Sequence, residues 1–243
     1  MNRTEKDFKD ARAAYRQLTF PQKLAHIWLY HKWPIILGLT ALIILGSVVY
    51  RILTKKDPVL YLAMINVSLN SELEEAVTVG FLNGAGFDAD RQEVLLYRDL
   101  YLAEDTDETT HRSAYATRIK LMASVEQQQL DLILMSGQSY DILSSQGYLL
   151  PMEELLKEEP ELAEALSPFI TENEVTIEDN GIEFQLREAE EHVVVTESAA
   201  NALRLDSFPL FAGQFADPLY LGVVANTPRR DACLNYLRYL SGN

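Results

Sequence analysis

The sequence predicts an α/β domain, a mainly parallel sheet with flanking helices, preceded by a single membrane-spanning helix. Three observations predict it. An uncharged apolar run lies near the N-terminus, charge is split between head and body, and the body alternates strand-like with helix-like stretches. Residues 1–57 carry ten Lys and Arg against four Asp and Glu, and the rest of the chain carries eleven against 32. The head is therefore net +6 and the body net −21. A body that acidic is repelled by nucleic-acid phosphates and by anionic lipid, so no nucleic-acid partner is expected.

Trp33–Tyr50 (WPIILGLTALIILGSVVY) contains no charged residue, and Ile52 and Leu53 extend it beyond Arg51, whose side chain can snorkel. Roughly 20 residues, about 30 Å of helix, are enough to cross a bilayer. Trp28, Tyr30 and Trp33 mark one end and Tyr50 the other, as interfacial aromatic residues do. The run begins too late for a cleavable signal peptide and no A-x-A-like site follows, so a signal anchor is expected. The preceding TFPQKLAHIWLYHKW has a capping box, Thr19 with Gln22, and Pro21 in the first turn. It reads either as an amphipathic helix lying in the interface before Pro34 or as a plain extension of the span. Arg12, Arg16, Lys23 and Lys32 precede the span while Arg51, Lys55 and Lys56 follow it. That small excess predicts a cytoplasmic N-terminus and an extracellular C-terminal domain at the cell membrane. The expected organisation is a cytoplasmic or interfacial segment at 1–32, a span at 33–54, a linker at 55–58 and an extracytoplasmic domain at 59–243. The bilayer, through residues 33–54, is the first expected partner.

Within the body, Val59–Val67 (VLYLAMINV) reads as a buried strand. Ser71 with Glu74 forms a second capping box for a helix that Asn83-Gly84 and Gly86 end. Glu93–Leu102 is a second strand, followed by the acidic loop AEDTDETT. The next stretch, His111–Gln129, is an amphipathic helix expected to turn Tyr115, Ile119, Met122 and Val125 inward. Leu130–Met135 is a third strand, apolar after Asp131. Strand–helix–strand–helix–strand is the pattern of a parallel sheet. Asn173–Leu186 alternates about Asn180-Gly181, the strongest hairpin signal in the chain, and His192–Thr196 is a neighbouring strand. Leu219–Asn226 is an apolar strand. A terminal helix follows, with Thr227 as cap, Pro228 in the first position and Gly242 as its stop.

Open α/β sheets place ligands at the carboxyl ends of their strands. There Ser136, Gly137, Gln138 and Ser139 open a helix whose free N–H groups suit a carboxylate or another polar group. The plainer alternative is ordinary capping by Ser136 or Ser139. Asn66, Ser68 and Asn70 occupy the corresponding end of the first strand. Tyr140, with Tyr97 and Tyr101, can stack on a sugar or cation, although tyrosines at element ends are more often core edges. Asp105, Asp107 and Glu108 form only a fragment of a calcium loop, so no metal is expected. His26, His31, His111 and His192 make no ligand pair, and no Walker, G-x-S-x-G or G-x-G-x-x-G motif occurs. Cys233, the sole cysteine, permits no intramolecular disulfide and reads as a buried thiol. No cofactor and no enzyme activity are expected.

Leu130–Leu156 (LDLILMSGQSYDILSSQGYLLPMEELL) resembles a segment of extracellular solute-binding proteins. Asp131–Met135, Ser136–Ser139 and Gly147–Met152 carry the likeness, and Gly222–Leu240 is similar to that family's closing strand and helix. The anchored arrangement, with its W-W-P entry to the span, resembles a group of uncharacterised N-terminally anchored proteins of anaerobic Gram-positive bacteria. The resemblance implies a periplasmic-binding-protein type II-like lobe and a small polar ligand held near Ser136–Ser139. Residues 151–215 are short for a full second lobe and imply a reduced one carrying the hairpin. Two functions follow as expectations: capture of a small polar ligand, or assembly with a membrane protein partner through the same fold.

Overall fold

The computed structural model describes residues 19–103, 108–180 and 191–242. The chain divides into two compact units, 1–55 and 56–243.

In the first unit, one continuous helix, α1 (Phe20–Thr54), runs 35 residues with Pro34 inside it. Pro34 has no N–H for the carbonyl four residues back, yet the helix carries on through it. The stretch before Pro34 is thus a helical extension of the apolar run. Lys32–Arg51, 20 residues of mean hydropathy 2.1 with none of it buried, is long and apolar enough to cross a membrane. The Thr40 and Thr54 hydroxyls donate to the carbonyls of Ile36 and Tyr50, at 2.9 and 2.7 Å, which meets their hydrogen-bonding need inside the helix.

The second unit is one six-stranded sheet, order β2-β1-β3-β6-β5-β4. Its strands are β1 (Asp57–Ile65), β2 (Gln92–Leu100), β3 (Leu132–Ser136), β4 (Ile170–Asp179), β5 (Val194–Arg204) and β6 (Leu219–Val223). β1 pairs parallel with β2 and β3, while β3–β6, β6–β5 and β5–β4 are antiparallel. The sheet is therefore mostly antiparallel, which corrects the expectation of a mainly parallel one. The reason lies in the connections. Parallel neighbours need a long crossover, usually a helix. The helical stretch Ser71–Gly84 and α4 (Glu108–Glu126) supply it among the first three strands. Between β5 and β6 the chain makes only turns. Residues 151–215, expected as a reduced second lobe, contribute β4 and β5 to this same sheet.

Strand periodicity sends alternate residues to two covered faces. Leu60, Leu62, Met64, Leu132 and Leu134 meet Phe81, Tyr236 and Leu237 on one side. Ala63, Ile65, Ile133 and Met135 meet Leu121, Tyr140 and Leu143 on the other. Gly222 of β6 is fixed by space, since a Cβ there would stand 2.7 Å from a Leu149 methyl.

Several local readings need correction. Asn70, not Ser71, caps α2 (Ser71–Glu75), its side chain accepting the Leu73 N–H at 2.8 Å. A π-helical turn, Ala76–Gly80, joins α2 to α3 (Phe81–Gly84), and Gly86 then takes φ +76°. In α4 the inward residues are Ala114, Thr117 and Leu121, whereas Tyr115, Ile119 and Met122 are 64, 51 and 50% exposed. Val125, also expected inward, is half-buried. β4 pairs with β5, Asp179 opposite Val194, and the second arm of the hairpin expected about Asn180-Gly181 falls in residues 181–190, outside the described ones. The terminal helix (Arg230–Ser241) starts two residues later than expected, after Arg229, and ends as expected at left-handed Gly242.

Candidate functional site

β3 ends at Ser136, and α5 (Gly137–Ser145) begins at the next residue. Ser136 has extended backbone and its Oγ accepts the Ser139 N–H at 3.5 Å, with the two hydroxyls 3.3 Å apart. Ser139 is fully buried, Gly137 half-buried and Gln138 exposed. The capping alternative describes this loop.

Tyr140 is buried beneath it, stacked on Tyr220 with ring centroids 4.8 Å apart. Its hydroxyl lies 2.9 Å from both the Thr171 carbonyl and Asn201 Oδ1. Asn201 Nδ2 donates to Ser144 Oγ at 2.8 Å, and Ser144 in turn donates to the Glu174 carbonyl at 3.0 Å. These bonds tie α5 to β4 and β5 through polar groups that are satisfied among themselves. Burial raises the Tyr140 phenol above its ordinary value, with Tyr220, Asp141 and Glu172 adding to the effect.

The first-strand candidates separate in the same way. Asn66 sits at φ +55°, donates through Nδ2 to the Leu102 carbonyl and accepts the Leu102 N–H at 3.0 Å, clamping the segment after β2. Asn70 is a cap, and Ser68 is exposed. Tyr97 stacks on Tyr61 at 6.3 Å with the Lys120 ammonium 5.2 Å from its ring, and burial raises its phenol pKa. Tyr101 is partly exposed beside Thr117, whose hydroxyl accepts its N–H. Among the described residues, surface hollows elsewhere are lined by Gly84, Ala85, Asn235, Arg238 and Tyr239, and by Glu178, Asp179, Asn180 and Val193. Neither touches Ser136–Tyr140.

A second polar cluster lies at the opposite, amino end of β3. Asp131 is fully buried. Its Oδ2 accepts the Tyr61 N–H and Arg229 Nε, each at 2.8 Å, and Oδ1 accepts the Thr227 hydroxyl. The Arg229 guanidinium covers the Tyr61 ring at 4.6 Å and also donates to the Gln128 carbonyl. Sequence reasoning noticed Asp131 only as the head of an apolar strand. A signal existed, a lone acid before four apolar residues, but nothing local names a partner 98 positions away. Nearby Cys233 is buried, and its thiol is pushed up to about 12, by burial first and then by the Asp131 charge. That disfavours the thiolate a nucleophile needs.

Among the described residues no group of three or more His, Cys, Asp and Glu is placed to hold a metal ion. Asp105 and Asp107 lie outside the described residues. No family model matches the chain, and neither curated proteins nor solved structures include one significantly similar to it.

Proposed function

We propose that this chain is a membrane-anchored domain that serves as a protein-interaction or assembly module at a bilayer surface. One observation supports this best: the loop expected to hold a solute uses its polar groups internally. Ser136 caps a helix, Tyr140 joins a buried network, Asn66 clamps the backbone and Asn70 is a cap. A solute site needs a concave pocket with converging polar groups left for the ligand. The single sheet, to which β4 and β5 also belong, points the same way. Residues 33–54 supply the anchor, and the excess of Lys and Arg before them favours a cytoplasmic N-terminus with the acidic domain outside.

Solute capture keeps one supporting observation, the exposed Gln138 beside the first turn of α5. Thermal-shift measurements on the detergent-solubilised full chain against sugars, amino acids and short peptides separate the two readings. The assembly reading expects flat curves together with a membrane protein, or a second copy, retained through purification. A shift of several degrees that Gln138→Ala removes would replace it with capture. For the topology, protease added to intact cells should digest the acidic domain, and protection would reverse the orientation.

A further inference from the structure

We infer that α5 is a strap that keeps the β4 edge of the sheet closed to an added strand. β4 is the last strand in the sheet order, so one of its sides has no strand beside it. Along an antiparallel strand, alternate residues turn both backbone groups towards the partner or away from it. Groups turned away at an edge are a template on which another chain can pair. At Glu174 both are taken by side chains instead: its N–H donates to Asn173 Oδ1 at 2.8 Å, and its carbonyl accepts the Ser144 hydroxyl at 3.0 Å. Nearby, the Thr171 carbonyl lies 2.9 Å from the Tyr140 hydroxyl. Asn173 Nδ2 donates to Asp141 Oδ1 at 2.7 Å. Tyr140 and Asp141, with Ser144 one turn further on, thus all reach residues 171–174.

Asn201 of β5 sets the aim of the strap. It is fully buried; its Oδ1 lies 2.9 Å from the Tyr140 hydroxyl, and its Nδ2 donates to Ser144 Oγ at 2.8 Å. Ser144, itself fully buried, accepts that bond and has its single hydroxyl proton left for the Glu174 carbonyl. Buried groups that satisfy one another have no water to exchange with, so the contact holds until α5 itself moves. The rest of β4 is blunted by other means. Register shifts lie between Thr171 and Glu172 and between Thr176 and Glu178, and such bulges interrupt a regular edge. Glu172, Glu174 and Glu178 are exposed along the strand and oppose a second acidic copy. At the far edge, β2 carries its own shift, with Asp99 at φ +58°. Strand addition at β4 and release of α5 are therefore one event. The β4 strand of a second copy can pair here only after α5 lets go.

The sole native thiol, Cys233, is fully buried, so an introduced cysteine reports alone. Two full-length proteins in detergent are compared, both carrying Glu172→Cys and Glu174→Gln to remove charge from the edge. One keeps the strap, and the other adds Asn173→Ala and Ser144→Ala. Under a mild oxidant the second should form about tenfold more disulfide-linked dimer than the first. Equal cross-linking, with both proteins folded by near-ultraviolet circular dichroism, overturns the strap. Should the Ser144 change prevent folding, Asn173→Ala alone decides, because Asn173 is only half-buried. Exchange of the Glu174 amide hydrogen, slow in the parent chain, should then speed up about tenfold. A Glu174 amide that exchanges equally fast in both chains overturns the strap as well.

Discussion

Asp131 shows how one side chain can fasten the two ends of a domain. Its carboxylate is out of water and is tolerated because Arg229, Thr227 and the Tyr61 N–H surround it. Removing one partner strands the charge. Arg229→Ala is expected to cost about 3 kcal/mol of unfolding free energy, whereas an apolar pair such as Asp131→Leu with Arg229→Met should cost much less than the two single changes together. Urea denaturation of the four proteins checks this. Tyr140→Phe removes the donor shared by Asn201 and Thr171 and should cost about 1–2 kcal/mol by the same measurement. Glu74 provides a pH test. The hydrogen bonds from Arg98 hold its carboxyl below the ordinary 4.5, outweighing a small opposing effect of burial. A depressed folded-state value means the stabilisation is present above about pH 4.5 and disappears as pH falls through that lower value. The pair is partly exposed, so Glu74→Gln should lower stability at pH 7 by less than about 1 kcal/mol, and the difference should vanish in acid. Capping by Ser136 was legible in the sequence because a cap acts across three positions, whereas Asn70 was passed over for its neighbour Ser71. The partners of Asp131 and Tyr140 are brought together by the tertiary fold.

Element positions were read well where periodicity was strong. β1, β2 and β3 fall within two residues of their expected bounds, and β6 starts where expected and ends three residues sooner, because buried strands leave short apolar runs between polar ends. Facing was harder. The apolar spacing of Tyr115, Ile119, Met122 and Val125 is the usual mark of a buried helix side, yet of these only Val125 packs against the core, and the buried residues are Ala114, Thr117 and Leu121. A hydrophobicity pattern gives little weight to small or polar residues such as Ala114 and Thr117, which are buried here. The π-helical turn left no local signal either, since what engages it is distant: Tyr239 and Tyr236 donate to the carbonyls of Ala76 and Val77 at 2.9 and 3.2 Å. Gly84 makes room for this contact, because a Cβ there would stand 2.9 Å from the Tyr239 ring. Gly84→Ala should therefore lower stability by about 1–3 kcal/mol despite alanine's better helix propensity. The loss should shrink when Tyr239→Ala is added, which a thermal double-mutant cycle reads directly.

For the whole molecule, the α/β class and the apolar N-terminal helix were legible, while strand direction was not. Alternation of strand and helix fixes direction only for β1, β2 and β3, which helical crossovers connect. Beyond them the connection β5–β6 lacks a helix, and the strands reverse. The resulting order sets a schedule for folding. β3 borders β6, yet β4 and β5 are both made between them. Until Leu219–Val223 emerge, no strand joins β1–β3 to the β4–β5 ribbon, and among the described residues the link is α5 with its bonds to β4 and β5. A newly made chain must hold the apolar edge of β3 open until β6 follows. Truncation just before Leu219 should leave a protease-sensitive, aggregating polypeptide rather than a smaller stable domain.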